Sequence, residues 1–191
     1  KDVGLAEIDA DPSAGWGEPV RQGPSHPDAL SETADFLNSL KRPLLLLGMQ
    51  ASAPCLSESL QMYVKRSGLP YCSTFQGPGR WVAPEQYVGR LGLFRNQPAD
   101  TLLSAADGVI CIGFDPVEYD PSIWNSDRQR QIVNVDVQPA DQDRAFLPRV
   151  ELIGDLQQTL IAMATLPAVT VSTDFLQLQR ACAAELQATT A

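Results

Sequence analysis

Residues 92–125 constrain the fold of this chain more than any other stretch of the sequence. Four apolar residues fall on one face at helical spacing and predict a short helix between positions 98 and 107: Ala99, Leu102, Leu103 and Ala106. The apolar run Gly108–Ile112 follows at once and predicts a buried strand that ends at Gly113. Because a helix, a buried strand and a glycine at the strand exit form one unit of a parallel α/β sheet, the stretch predicts that architecture.

A ligand crevice is expected at one edge of this sheet. In parallel sheets, ligands bind beyond the carboxyl ends of the strands, where the strand order reverses. The segment from Gly113 to Glu118 leaves its strand at that end, and three further segments follow predicted strands in the same way. The residues expected to border the crevice are Gly48, Met49, Gln50, Gln76, Gly113, Phe114, Asp115 and Asp136.

The turn at Gly48 resembles the start of a dinucleotide-binding fold, since a strand precedes it and a helix follows. The G-x-G-x-x-G pattern of such folds is absent, however, because no second glycine lies in range. Gly48 therefore serves either a tight turn or the close approach of a ligand.

Composition narrows the classes of function. With 191 residues, 44% of them hydrophobic, the chain is long enough to bury a core. A formal net charge of −9 argues against nucleic acid or an anionic membrane as a partner, and no apolar run approaches the about 20 residues of a membrane helix. The four cysteines form no C-x-x-C pair and are expected to be free thiols in a reducing cytoplasm. His26 is the single histidine, so the sequence argues against a metal site built from histidines and against a Ser-His-Asp triad.

The order of patterns predicts three regions. Residues 1–27, rich in Gly, Pro, Asp and Ser, predict a linker or an extended arm. Residues 28–166 predict an α/β domain, with strands over positions 44–47, 70–75, 86–89, 108–112, 131–137 and 150–153. Residues 167–191 predict a helical segment that docks loosely or belongs to a further domain. Because the sequence begins at Lys1 and not at methionine, we expect it to be a piece of a longer chain.

Helix boundaries follow from short signals. Ser25 and Asp28 have the spacing of a capping box, which predicts that Ser25 begins the first helix. A second helix is expected over residues 54–67, ended by Gly68. Residues 121–130 are expected to form a loop. Asp155, with Gln158 at the third position beyond it, predicts the cap of the helix that follows the last strand.

Several segments of the chain resemble one known family. They are Ser73-Thr74-Phe75-Gln76, Gly89-Arg90-Leu91-Gly92-Leu93-Phe94-Arg95-Asn96-Gln97, and residues 109–113, 116–121, 124–125, 133–137 and 150–155. Over about residues 28–166 they resemble the central domain of thiamine-diphosphate-dependent enzymes of the acetolactate synthase type. The likeness is strongest to the catabolic type of bacterial acetoin and butanediol metabolism. The resemblance implies a Rossmann-like parallel sheet of about six strands with helices on both faces.

The resemblance also implies an activity for the parent protein, which is the condensation of two pyruvates to 2-acetolactate with loss of carbon dioxide. Thiamine diphosphate, bound through magnesium, supplies this chemistry in the family. It lies between flanking domains of partner subunits in a cytoplasmic homo-oligomer, a dimer or a tetramer. The activating glutamate and the Gly-Asp-Gly…Asn metal motif belong to those flanking domains, so this chain is expected to hold no catalytic residue and no metal ligand. Gly154-Asp155 begins like the metal motif but is read as a strand end and helix cap.

One loop is expected to reach the active-site mouth of the parent enzyme. It consists of Phe94, Arg95, Asn96 and Gln97, which lie where the family's central domain approaches the substrate channel. The alternative is an ordinary solvated loop that precedes a helix.

The resemblance further implies that this domain does not bind FAD. The flavin-dependent relatives carry two arginines in a Gly-x-Arg-Phe-Asp-Asp-Arg type segment after the matching strand. Here that segment contains no arginine, and Glu118 adds a negative charge near the expected path of a pyrophosphate. Two alternatives stay open: the central domain of another thiamine diphosphate enzyme, such as a decarboxylase or a sulfoacetaldehyde-type acetyltransferase, and a stand-alone FAD- or NAD-binding module.

Overall fold

The computed structural model describes residues 22–94 and 96–190, and these form one six-stranded parallel sheet. Its strands are β1 (Pro43–Leu47), β2 (Tyr71–Thr74), β3 (Tyr87–Leu91), β4 (Gly108–Ile112), β5 (Gln131–Asp136) and β6 (Pro148–Ile153). Their spatial order is β3-β2-β1-β4-β5-β6, and every neighbouring pair is parallel. The predicted Rossmann-like sheet is confirmed, with each strand within two residues of its expected position.

Helices cover both faces of the sheet, as predicted. They are α1 (Pro27–Ser39), α2 (Ser57–Ser67), α3 (Pro98–Ala105), α4 (Pro121–Trp124), α5 (Leu156–Met163) and α6 (Thr173–Thr190). Successive residues of β1 alternate between two buried clusters: Leu45 and Leu47 pack with α1, α2 and α5, whereas Leu44 and Leu46 pack with α3, α4 and α6. Neither face of β1 is exposed to solvent, so its side chains need not alternate between apolar and polar, which explains the run of four leucines.

Three local predictions need correction. His26, not Ser25, begins α1: its Nδ1 accepts a hydrogen bond from the amide of Asp28. Ser25 is buried, and its amide and hydroxyl lie 3.1 Å from Oγ1 of Thr159 in α5, so a partner far along the chain replaces the local cap. Two short 3₁₀ turns, Met49–Ser52 and Pro54–Leu56, precede α2 where one continuous helix was expected. The expected loop over residues 121–130 begins with the short helix α4, which Asp120 caps.

The last helix packs against the sheet domain. Phe175 and Cys182 of α6 are 1% and 3% exposed, in the cluster that also contains α3 residues. The side chain of Gln179 donates a hydrogen bond to the carbonyl of Glu85. The role of α6 as a linker toward a further domain stays a prediction. Most of the predicted arm at the other end of the chain, residues 1–21, lies outside the described residues.

Candidate functional site

The strand order reverses between β1 and β4, which are paired in register from Pro43 and Gly108 to Leu47 and Ile112. Their exits, at Gly48 and Gly113, therefore lie side by side at the carboxyl edge. All eight residues predicted to border a crevice lie at this edge, because each follows or ends a strand. Gln76 follows β2 with an exposed side chain, and its carbonyl accepts a hydrogen bond from Ser52.

The two glycines bring the turns after β1 and β4 into direct contact. A Cβ atom on Gly48 would lie 2.2 Å from the carbonyl oxygen of Gly113, and one on Gly113 would lie 2.8 Å from Cβ of Gln50. Gly113 also has φ +55°, a conformation that glycine adopts without strain. Two backbone hydrogen bonds join the turns, from Gly48 N to Ile112 O and from Gln50 N to Gly113 O, at 3.0 and 3.1 Å. Gly48 thus permits close approach of the chain's own backbone at the position where a dinucleotide fold admits a ligand.

The carboxylate of Glu118 occupies the space beside this contact. Its side chain is 7% exposed and accepts hydrogen bonds from three different strand exits. The amide of Met49, after β1, lies 2.9 Å from Oε2 and 3.1 Å from Oε1; the amide of Asp115, after β4, lies 3.0 Å from Oε1. The hydroxyl of Thr74, at the end of β2, donates to Oε2 at 2.5 Å and itself accepts from the amide of Gly77. Among the described residues, no lysine or arginine forms an ion pair with Glu118.

This arrangement is an anion site whose occupant belongs to the chain. Converging amide and hydroxyl donors at the carboxyl edge of a parallel sheet are the usual phosphate-binding groups of dinucleotide folds. Here those donors are satisfied by a carboxylate, and charge-assisted hydrogen bonds of this type are stronger than neutral ones. Sequence reasoning identified the charge of Glu118 but missed its hydrogen bonds and missed Thr74, because the contact depends on three loops that meet only in the fold.

A second carboxylate lies further along the same edge. Asp136 ends β5 with 5% of its surface exposed, and burial raises the pKa of its carboxyl group. Amide donors at Val137 and Gln138, and the side-chain amide of Gln50 at 3.3 Å, oppose that pKa shift by favouring the ionised form. Asp115, Asp136 and Asp141 line a cavity of about 220 Å³, and three carboxylates there disfavour an anionic ligand.

The predicted mouth loop is exposed and directly precedes the first residue of α3. Phe94 is 73% exposed, and Asn96 has φ +61°, while Arg95 lies outside the described residues. Gln97 precedes α3, and its amide donates to the carboxylate of Asp100 at 2.9 Å. The loop borders a cavity of about 530 Å³ whose other lining residues include Arg80, Tyr87, Arg90, Leu93 and Leu186.

The predicted mouth loop and the predicted crevice meet at Gly92. Gly92, at the base of the loop, has φ +93°, and a Cβ atom there would lie 3.0 Å from the carbonyl oxygen of Glu118. The hydroxyl of Tyr119 donates to Asp100 of α3 at 3.1 Å. The segment that supplies the buried carboxylate therefore also supports the start of the loop.

Side chains that could bind a metal ion do not cluster in the described part of the chain. Residues 22–94 and 96–190 contain no cluster of three or more His, Cys, Asp or Glu side chains placed to hold a metal ion. Cys72 and Cys111 are buried free thiols, as expected, and burial raises the pKa of both. Asp155 accepts a hydrogen bond from the amide of Gln158 and caps α5, as predicted. None of the described helices has both the length and the hydropathy to cross a bilayer.

Comparison with known proteins identifies the family. Residues 30–163 match the model of the central domain of thiamine pyrophosphate enzymes, and the chain belongs to this family. An X-ray structure of a protein from Mycobacterium smegmatis, described as a thiamin diphosphate-dependent enzyme, shares the fold with a TM-score of 0.63 at 18% identity. That match covers 84% of this chain and 31% of the other.

The sequence relatives include two acetolactate synthases. The chain is 41% identical to acetolactate synthase of Bacillus subtilis (strain 168) over 140 residues, which is 72% of this chain and 25% of that protein. It is 37% identical to the catabolic acetolactate synthase of Raoultella terrigena over 161 residues, which is 80% of this chain and 28% of that protein. The predicted resemblance is confirmed, and the chain spans about a quarter of the length of these relatives.

Proposed function

We propose that this chain is the central domain of an acetolactate synthase and that it holds no catalytic group of its own. The parent enzyme would condense two pyruvates to 2-acetolactate and carbon dioxide. The observation that supports a structural role is the site of Glu118: the donors that would take a ligand phosphate are satisfied by the chain's own carboxylate. Similarity to two acetolactate synthases, one of them catabolic, supports the reaction.

The cofactors of the parent enzyme are thiamine diphosphate and magnesium, bound by domains that flank this one. The residues of the described chain do not fit this pair. They offer no cluster of ligands for a metal ion, and Glu118 satisfies the donors at the switch point, the usual phosphate position of this fold. In this proposal the domain spaces two catalytic domains, contributes to subunit contacts in a homo-oligomer, and works in the cytoplasm.

The proposed function does not include binding of FAD by this domain. A flavin dinucleotide in this crevice would bring its pyrophosphate to the donors that Glu118 uses and toward the carboxylates of Asp115 and Asp136. It is unfavourable to displace the buried carboxylate of Glu118. It is also unfavourable to bring phosphate charge close to the carboxylates of Asp115 and Asp136. The same reasoning disfavours a stand-alone FAD- or NAD-binding module.

The loop of Phe94, Arg95, Asn96 and Gln97 is proposed to border the mouth of the active site formed with a flanking domain. Support comes from the exposed side chains of Leu93 and Phe94, 60% and 73% exposed, next to the 530 Å³ cavity. Exposed large apolar side chains that lie together mark contact surfaces rather than solvated loops. The alternative reaction, that of another thiamine diphosphate enzyme, would place the same loop at a different substrate channel.

The test of this proposal uses two proteins, this 191-residue chain and the same chain with its natural flanking sequence. Each is incubated with pyruvate, thiamine diphosphate and magnesium, and acetolactate is measured as acetoin after acid decarboxylation. The longer protein should form acetolactate and the chain alone should not. Acetolactate formation by the chain alone would refute the structural role. Acetaldehyde in place of acetolactate from the longer protein would favour a decarboxylase.

A further inference from the structure

A cavity rich in arginine lies at the edge of the sheet opposite the crevice, where β5 and β6 begin. Its volume is about 330 Å³, and its lining contains four arginines: Arg128, Arg130, Arg144 and Arg149. The whole chain has 14 lysines and arginines and a net charge of −9, so this concentration of positive charge is not what the composition leads one to expect.

A buried amide joins the two loops that carry three of these arginines, while Arg149 lies at the start of β6. Asn125, 3% exposed, donates from Nδ2 to the carbonyls of Arg130 and Ala145 at 3.1 and 2.9 Å. Its Oδ1 accepts from the amide of Arg130 at 3.0 Å. Nδ2 of Asn125 thus links backbone of the loop before β5 to the loop before β6, and Oδ1 adds a second contact to the first of these loops.

Three of the four guanidinium groups have no counter-charge in the described part of the chain. Arg130 is engaged: it forms an ion pair with Asp127 and donates to the carbonyls of Leu103 and Ser104. Arg128, Arg144 and Arg149 are exposed and form no ion pair among residues 22–94 and 96–190.

Of the acidic groups nearest in sequence, Asp127, Asp143 and Glu151 accept hydrogen bonds from backbone amides, and Asp141 lines the cavity at the opposite edge of the sheet. Asp143 accepts from the amides of Ala145 and Phe146, while Asp127 holds Arg130 and the amide of Gln129. Like charges that line one cavity repel each other unless an anion lies between them. Guanidinium groups also bind phosphate oxygens in a bidentate manner, which gives such an anion geometric specificity.

We propose that this cavity binds a small anion that carries two or more phosphate charges. Arg128, Arg144 and Arg149 contact its oxygens, and Arg130 and Asn125 hold the loops that position them. The site lies at the amino ends of the strands and is independent of the crevice and of the proposed structural role. Its volume of about 330 Å³ is large enough for a diphosphate.

The test is a calorimetric titration of the 191-residue chain with inorganic pyrophosphate at low ionic strength. We expect saturable binding that weakens as salt is added. Arg144→Ala and Arg149→Ala should each weaken binding by about tenfold, which corresponds to about 1.4 kcal/mol. Arg180→Ala, which removes an exposed arginine on α6, is the matched control and should leave the affinity unchanged.

Three outcomes would overturn the proposal. They are absence of saturable binding, an Arg180→Ala variant that weakens binding as much as Arg144→Ala, and citrate that binds as tightly as pyrophosphate. The last result would show general attraction of anions without phosphate recognition. Circular dichroism of each variant separates a loss of binding from a loss of fold.

Discussion

Replacing Glu118 perturbs the three strand exits that its carboxylate joins. In Glu118→Ala the amides of Met49 and Asp115 and the hydroxyl of Thr74 all lose their acceptor. In Glu118→Gln one carbonyl oxygen remains, but the new NH₂ group faces the backbone amide of Met49, which cannot accept from it. Stability should therefore fall in the order wild type, Gln variant, Ala variant.

The magnitude follows from the number of donors and their access to water. A buried donor left without an acceptor costs about 1–3 kcal/mol, so three donors give a range of about 3–9 kcal/mol. Met49 is 46% exposed and Asp115 is also exposed, so water can replace part of what is lost. We expect the low end for Glu118→Ala, about 3 kcal/mol, and about 1–2 kcal/mol for Glu118→Gln.

The assay is urea unfolding followed by tryptophan fluorescence, because Trp124 is buried in the core beside Phe114. The midpoint should decrease in both variants while the slope with urea stays unchanged. Glu32→Gln, an exposed site on α1, is the control and should change stability by less than about 0.5 kcal/mol. A Glu118→Ala variant with the wild-type midpoint would refute the role assigned to this carboxylate.

Two further predictions concern the sheet. Ile112→Asp should prevent folding, because it places an unpaired carboxylate in a strand buried on both faces at a cost of several kcal/mol; a soluble variant with an unchanged melting curve would contradict this. Asp136 has a raised pKa, so the folded state binds its proton more tightly than the unfolded state does. As pH increases from the ordinary carboxyl value of 3.8 through the raised one, wild type should lose stability relative to Asp136→Asn. Urea midpoints of both proteins across that range check the sign, and a constant difference would contradict it.

Local patterns predicted the frame of this structure well. Apolar runs such as residues 44–47 and 108–112 are short and bounded by turn residues, which is typical of buried strands, and the glycines after them mark the exits. The strand order places Gly48 and Gly113 together at the carboxyl edge of the sheet, where the crevice is predicted.

What the sequence did not predict depends on partners distant along the chain. The spacing to Asp28 predicts a helix cap at Ser25, but the hydroxyl of Ser25 contacts Thr159, 134 positions away. The acceptor role of Glu118 required three loops to converge, with Thr74 separated from it by 44 positions. The arginine cavity likewise joins two loops through Asn125. None of these contacts has a spacing or a period that a single sequence can reveal.

Titration with FAD tests the central claim most directly, since the claim is that the chain's own carboxylate occupies the phosphate position of its dinucleotide fold. Increasing amounts of the 191-residue chain are added to a fixed concentration of FAD, and flavin fluorescence is followed. Because Met49, Asp115 and Thr74 hold Glu118 in place, the account predicts no saturable change in flavin fluorescence as the chain is added. Saturable binding at low micromolar concentration would contradict it and would make the flavin-binding module the better description of this domain.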